Sequence, residues 1–293
     1  MWRNYLKERQ AQVEELMETL VPVKAGDPLA EMMKAMRYSL FAGGKRLRPI
    51  LLLAAADAVG MDGRRFLQSA CALEMIHTYS LIHDDLPAMD DDDYRRGMPT
   101  NHKVFGEGMA ILAGDGLLTL AFETLLSQPD VPAETLNRVT REIALAAGPS
   151  GMVGGQAIDL LSEGKSPDQE TMTLMHRLKT GALFRASIRS GGILAGATEA
   201  ELSDLTRFAE SFGLAFQITD DILDVTGSEA VLGKPIGSDE RNHKATYVTV
   251  YSLTAAQKMA QEAVQESLAA LAGFGDKAWV LRSLSEYLLT RDS

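Results

Sequence analysis

Ser80-Leu-Ile-His-Asp-Asp-Leu-Pro-Ala-Met-Asp-Asp-Asp-Asp-Tyr-Arg-Arg-Gly97 joins the end of an apolar run to six aspartates and two arginines. On an ideal helix, residues seven apart differ by only about 20° in direction. Phe66, Ala70, Leu73, His77, Ser80 and Asp84 therefore lie along one stripe, apolar at its start and ionic at its end. Pro87 has no amide hydrogen, so the helix ends there and Asp90 can fold back toward Asp84. Carboxylates packed so densely repel one another unless cations lie among them. Hard divalent cations such as magnesium prefer these oxygens. A solvated acidic loop is the alternative for this stretch taken alone.

A second cluster weighs against that alternative. Gln217-Ile-Thr-Asp-Asp-Ile-Leu-Asp224 places Asp220 three residues after Gln217 and four before Asp224. All three then share a helical face. Two acidic clusters, each attached to an apolar helix, predict one cavity in which they hold divalent metal on an anionic ligand.

Cationic residues are also grouped. In Gly43-Gly-Lys-Arg-Leu-Arg-Pro49, Lys45 and Arg48 stand before a helix whose first amides already favour anions. The stretch is not a nucleotide P-loop: Ser39 replaces the first glycine, and no Ser or Thr follows Lys45. Arg95 and Arg96 either bind an anion or pair with the preceding aspartates. His77, on the stripe, either donates to phosphate or is a satisfied core residue. Lys179-Thr180-Gly181 lies inside a helical pattern, where the glycine can loosen the ladder and free a carbonyl. Lys234 and Lys244 flank the polar stretch from Gly227 to Lys244, which reads as a mobile loop. The glycines of Gly151-Met-Val-Gly-Gly-Gln156 suggest close helix packing, with Gln156 and Asp159 available to support a metal site. The methionines at 32, 33, 36, 152, 172 and 175 read as core filler.

Composition bounds the rest. A net charge of −11 argues against a nucleic-acid binder, whose affinity rests on cationic contacts to phosphate. The sole cysteine, Cys71, sits in an apolar helical pattern and excludes an intrachain disulfide. The charged start Met1–Glu8 lacks the apolar centre of a signal peptide, and apolar runs such as Ile50–Ala56 fall short of a membrane span. The expectation is a cytoplasmic protein with no membrane contact.

Ala, Leu, Met and Glu dominate, strict alternation is scarce and tight hairpin signals are lacking, so an all-α fold is expected. Helices are predicted near 1–21, from Asp27-Pro28 to Leu40, over Ile50–Val59, from Gly63 to Asp85 and across 104–126. Ser166-Pro167-Asp168, Thr198 and Thr254 read as later helix starts. No repeat or linker divides residues 1–293, which read as one domain.

Taken together, the Gly43–Pro49 motif, the two aspartate motifs, Arg95-Arg96 and Lys179-Thr180 resemble the trans-isoprenyl diphosphate synthase (polyprenyl synthetase) family. The resemblance covers essentially the whole chain. The four residues between Asp85 and Asp90 are similar to the bacterial farnesyl diphosphate synthases and the related geranylgeranyl enzymes. It implies a single-domain helical bundle of the isoprenoid synthase type around a deep central cavity, usually in a homodimer. Carried over residue by residue, Asp84 and Asp90 would bind two magnesium ions and Asp220 a third. Asp85, Asp221 and Asp224 would act through water or behind them. Arg95, Lys179 and Lys234 would hold an allylic diphosphate, dimethylallyl or geranyl. Lys45, Arg48, His77 and Arg96 would hold isopentenyl diphosphate. Thr180, the Lys179 carbonyl and Gln217 would face the allylic cation.

In that family, bulk at the positions of Tyr79 and Ser80 blocks chain growth, and this pair is similar to the farnesyl type. Helix geometry supports Ser80, about 40° from the Asp84 direction; Tyr79 lies about 140° away. The expected function is farnesyl diphosphate synthase, with a geranylgeranyl synthase as the rival. A terpene cyclase needs no second diphosphate site, so the Lys45/Arg48 group argues against it. A regulatory subunit would have no need of intact aspartates in both motifs.

Overall fold

The computed structural model describes residues 1–162, 164, 168–227 and 246–291. It is all-α apart from one small hairpin. The helices are α1 (Trp2–Leu20), α2 (Ala30–Leu40), α3 (Leu47–Val59), α4 (Leu67–Asp84), α5 (Asn101–Phe105), α6 (Glu107–Leu126) and α7 (Ala133–Ala147). They continue with α8 (Met152–Ser162), α9 (Gln169–His176), α10 (Ala182–Leu194), α11 (Glu199–Thr226), α12 (Tyr247–Tyr251), α13 (Leu253–Ala270) and α14 (Trp279–Leu288). The chain divides into two compact units, one of Arg3–Leu53 and Arg64–Thr140, the other of Ala54–Gly63 and Arg141–Ser293.

In the first unit α4 is buried on nearly every side, as an all-round apolar helix must be. Leu73, Met75 and Ile76 are fully buried, each worth roughly 1.5–3 kcal/mol relative to exposure. The start of α4 is held by Gln128, whose Oε1 accepts from the amide and hydroxyl of Ser69 at 3.0 Å. Cys71 is buried as expected, and burial pushes its thiol up to about 12. α6 reaches the length and mean hydropathy (1.6) of a membrane span. Within this unit Ala113, Leu117, Ala121 and Leu125 are buried, and the helix packs on α4 and α2.

Several expected boundaries move for local reasons. The predicted 104–126 helix is two helices, because Gly106 takes a left-handed φ of 83°. Asp27 does not cap α2; its carboxylate accepts from the Leu29 amide in a turn, and the helix opens at Ala30. Thr254 lies inside α13, whose cap is Ser252, accepting from the Ala255 amide. Thr198 caps α11 as predicted, in a capping box with Glu201. Asp168 caps α9; Ser166 and Pro167 lie outside the described residues, as do Lys234, Lys244 and the stretch after Gly227 expected to be a loop.

The expectation of no hairpin is corrected. β1 (Tyr94–Arg95) pairs antiparallel with β2 (Met98–Pro99). The two-residue turn between them needs two left-handed residues, and Arg96 (φ 54°) and Gly97 (φ 76°) supply them. Arginine is an unusual choice for that conformation, so the turn carried no sequence signal.

The second unit is built on α11, packed against α10 and α13. Phe184, Phe208 and Phe212 fill its core, Phe184 meeting Phe212 edge to face at 5.6 Å. Met36, Met152, Met172 and Met175 are buried, consistent with core filler.

Candidate active site

In the first unit α4 ends at Asp84, and the backbone turns so that the Asp90 amide donates to the Asp84 carbonyl at 2.9 Å. The predicted return of Asp90 to Asp84 is therefore present. Asp84 and Asp85 are buried, Asp90 is half-buried, and Asp91, Asp92 and Asp93 are exposed. Arg95 donates from Nε to Asp85 Oδ1 at 2.5 Å, and from Nη2 to Asp92 at 3.4 Å. Of the two roles open to Arg95, pairing with the aspartates is the one seen. Burial pushes the Asp85 carboxyl up to about 6, against the pull of Arg95.

The Gly43–Pro49 motif and Arg96 meet in the same unit. Gly43 and Gly44 have φ of 86° and 120°, and the Arg96 guanidinium lies against Gly44 where a side chain would stand. Arg96 also donates to the Gly43 carbonyl. Lys45 is exposed at the turn and Arg48 lies in the first turn of α3. Burial pulls Arg48 down to about 10, with Glu74 opposing and Arg96 adding to the fall. Arg48 is therefore still a cation at neutral pH.

His77 joins this group. Burial first, then the charges of Arg48, Arg96, Arg95 and Arg46, hold it well below the usual 6.5. It is a neutral imidazole at pH 7, with one N–H to donate. Because the unfolded chain binds the proton more readily, stability should fall as pH drops below 6.5. The His77 ring resonance in a proton NMR titration is expected to move below the ordinary histidine range; a midpoint at or above 6.5 would remove the cluster from around it.

The sequence reading passed over Glu74, which lies one turn before His77 with its side chain 1% exposed and accepts from Arg46 Nη1 at 2.9 Å. A carboxylate inside an otherwise apolar helix was the available signal.

In the second unit, Arg177–Gly181 forms a π-helical turn, the loosened ladder expected at Lys179-Thr180-Gly181. Gly155 of α8 packs directly on it: a Cβ there would lie 2.2 Å from the Lys179 amide nitrogen. Gly155→Ala is expected to cost roughly 2–3 kcal/mol, roughly 5–10 °C in melting temperature, because both surfaces are backbone. An unchanged melting curve would mean that α8 yields freely. Lys179 Nζ donates to Asp159 at 2.6 Å.

Thr180 donates to Gln217 Oε1 at 3.1 Å, and Gln217 Nε2 donates to Asp221 Oδ1 at 2.8 Å. The other Asp221 oxygen accepts from the Tyr247 amide at 2.7 Å. Asp221 and Asp224 are buried, whereas the Asp220 side chain is 53% exposed and meets Arg291 at 3.3 Å. Gln217, Asp220 and Asp224 lie in one continuous helix and so share a face as expected; Gln217 bonds Asp221 beside that face, and Asp220 is its exposed carboxylate. Arg291, stacked over Phe216 and donating to its carbonyl, left no sequence signal.

Among the described residues no three His, Cys, Asp or Glu side chains converge on one point, so they form no closed cation cage. Magnesium does not need one. It takes one or two carboxylates and fills its shell with water and substrate phosphate oxygens. Asp84 with Asp90, and outward-turned Asp220, fit that mode.

A family model described as polyprenyl synthetase matches residues 30–280. The chain is similar to a farnesyl diphosphate synthase of Geobacillus stearothermophilus, 50% identical over 87% of this chain and 86% of the relative. It is also similar to a geranylgeranyl diphosphate synthase of Cyanophora paradoxa, 47% identical over 99% of this chain and 96% of that one. Among solved structures, a geranylgeranyl pyrophosphate synthetase of Pyrococcus horikoshii superposes with a TM-score of 0.90 at 33% identity, covering 99% and 98% of the two chains.

Proposed function

The chain belongs to the polyprenyl synthetase family, and within this family of prenyltransferases we propose that it is a farnesyl diphosphate synthase. The observation that carries the reading is the pairing, in one unit, of the aspartate turn at Asp84–Asp90 with the cationic group of Arg48, Arg96 and His77. Such a pair serves two diphosphates: one bound with magnesium, the other by cations alone. A terpene cyclase has no use for the second.

On this reading Asp84, Asp90 and Asp220 take magnesium, and Lys45, Arg48, His77 and Arg96 hold isopentenyl diphosphate. Arg95 and Lys179 leave Asp85 and Asp159 to hold the allylic diphosphate, with Lys234. Magnesium held by these aspartates would supply the positive charge that a departing diphosphate needs as its carbon–oxygen bond breaks. Thr180 donates its hydroxyl hydrogen bond to Gln217 Oε1, which leaves the hydroxyl lone pairs to face the allylic cation. The double bond of isopentenyl diphosphate adds to that cation's first carbon, and a proton then leaves to the released diphosphate. Two rounds, from dimethylallyl and then geranyl diphosphate, yield the farnesyl product. The exposed Ile111, Leu112 and Leu126 of α6 support a homodimer.

Relatives carry both farnesyl and geranylgeranyl names, so a geranylgeranyl synthase is the second reading. The test is product length. Protein, magnesium, isopentenyl diphosphate and dimethylallyl diphosphate are incubated, and the dephosphorylated products are sorted by carbon number. Farnesol is expected. Geranylgeraniol would establish the second reading, and no condensation would overturn both.

A further inference from the structure

The turn that presents Lys45 and Arg48 is pinned by a residue that itself points inward. Arg46 has a φ of 49°, is buried, and donates through Nε to Glu14 at 3.1 Å and through Nη1 to Glu74 at 2.9 Å. Glu14 is one-third exposed on α1, whereas Glu74 is fully enclosed on α4, and its second oxygen, Oε2, has no hydrogen-bond partner. An enclosed carboxylate that satisfies only one oxygen is costly, and an apolar residue would pack there at less expense.

Its surroundings explain it. Burial lowers the proton affinity of both Arg48 and Arg96, and the Glu74 charge restores part of it. Gln10 donates to the Gly44 carbonyl at 3.4 Å, so α1 and α4 clasp the turn from two sides. We propose that Glu74 is a positioning residue for the reaction: a buried counter-charge that holds the Gly43–Arg48 turn ready and weakens its grip on diphosphate. This rests on reading that turn as the isopentenyl diphosphate site. Without Glu74 the guanidinium groups would repel one another in the empty site. With it, the site stays assembled between turnovers and releases its anion.

The test is calorimetric titration of wild type, Glu74→Gln and Glu74→Asp with isopentenyl diphosphate, without magnesium or allylic substrate. Glu74→Gln keeps the shape and the acceptor for Arg46 but removes the charge. It should bind tighter by on the order of tenfold, the effect of one buried unit charge beside a dianion. In turnover, KM for isopentenyl diphosphate should fall by a similar factor, with KM for the allylic substrate unmoved. Glu74→Asp retains the charge and should bind like wild type. Unchanged or weaker binding by Glu74→Gln overturns the inference, as does equal tightening by Glu74→Asp, which would indicate packing alone. Glu14→Gln is the control: it removes the other carboxylate on Arg46 but not the one acting on Arg48 and Arg96, so it should bind like wild type. Tightening equal to that of Glu74→Gln would overturn the proposal, as would failure of Glu74→Gln to fold, which would make Glu74 a structural residue. Wild-type protein that binds no isopentenyl diphosphate overturns the reading of the turn itself and the inference with it.

Discussion

Asp84→Ala is expected to lower turnover by about three orders of magnitude while leaving the melting temperature unchanged or slightly raised. The loss follows from removing a carboxylate proposed to take magnesium, an effect of the size seen when a site loses one transition-state-stabilising group. The neutral or favourable effect on stability has a separate cause. Asp84 is the last residue of α4, where the helix dipole already presents partial negative charge. Asp85 follows it, so two carboxylates sit at the wrong end of a helix. The turn itself uses the Asp84 carbonyl to receive Asp90, and alanine keeps that carbonyl. Steady-state kinetics with a thermal melt separates the two effects. Near-normal turnover would sink the metal assignment, and a large fall in melting temperature would make Asp84 a structural residue.

Tyr79→Ala should move the principal product from C15 to C20. The structure gives this prediction a definite geometry. Tyr79 is buried and meets His83 edge to face at 5.8 Å, and His83 Nε2 lies 3.1 Å from the Ile111 carbonyl of α6. His83 also occupies the notch left by Gly114, where a Cβ would lie 2.1 Å from its Nε2. Tyr79 thus lies toward α6, well round the helix from Asp84, and on the proposed function its ring would close the path of the growing chain. Ser80 bonds the His77 carbonyl at 2.8 Å and offers little bulk of its own. Removing the ring should also cost roughly 3–5 kcal/mol through the cavity it leaves. Product analysis by carbon number decides it: a product still ending at C15 would take Tyr79 out of chain-length control.

Much of the site was legible because its signals are local. The stripe from Phe66 to Asp84 follows from helical spacing, and the break after it from Pro87. The return of Asp90, the looseness at Thr180-Gly181 and the close approach at Gly155 each follow from one residue's chemistry. The hairpin was missed because arginine at φ 54° is not a local preference; Gly43 and Gly44, more than fifty residues earlier, receive the Arg96 side chain.

By itself, then, the sequence determined an all-α chain, its acidic and basic motifs and the family they mark, since periodicity, caps and breakers act over a few residues. Tertiary structure alone decided that Asp221 is enclosed and Asp220 turned outward. Adjacent residues on a helix differ by about 100°, and which one is buried depends on what packs beside α11. It likewise decided that Arg46 meets Glu74 and that Arg291 reaches Asp220. Those pairings join residues far apart in the chain, and no local preference encodes them.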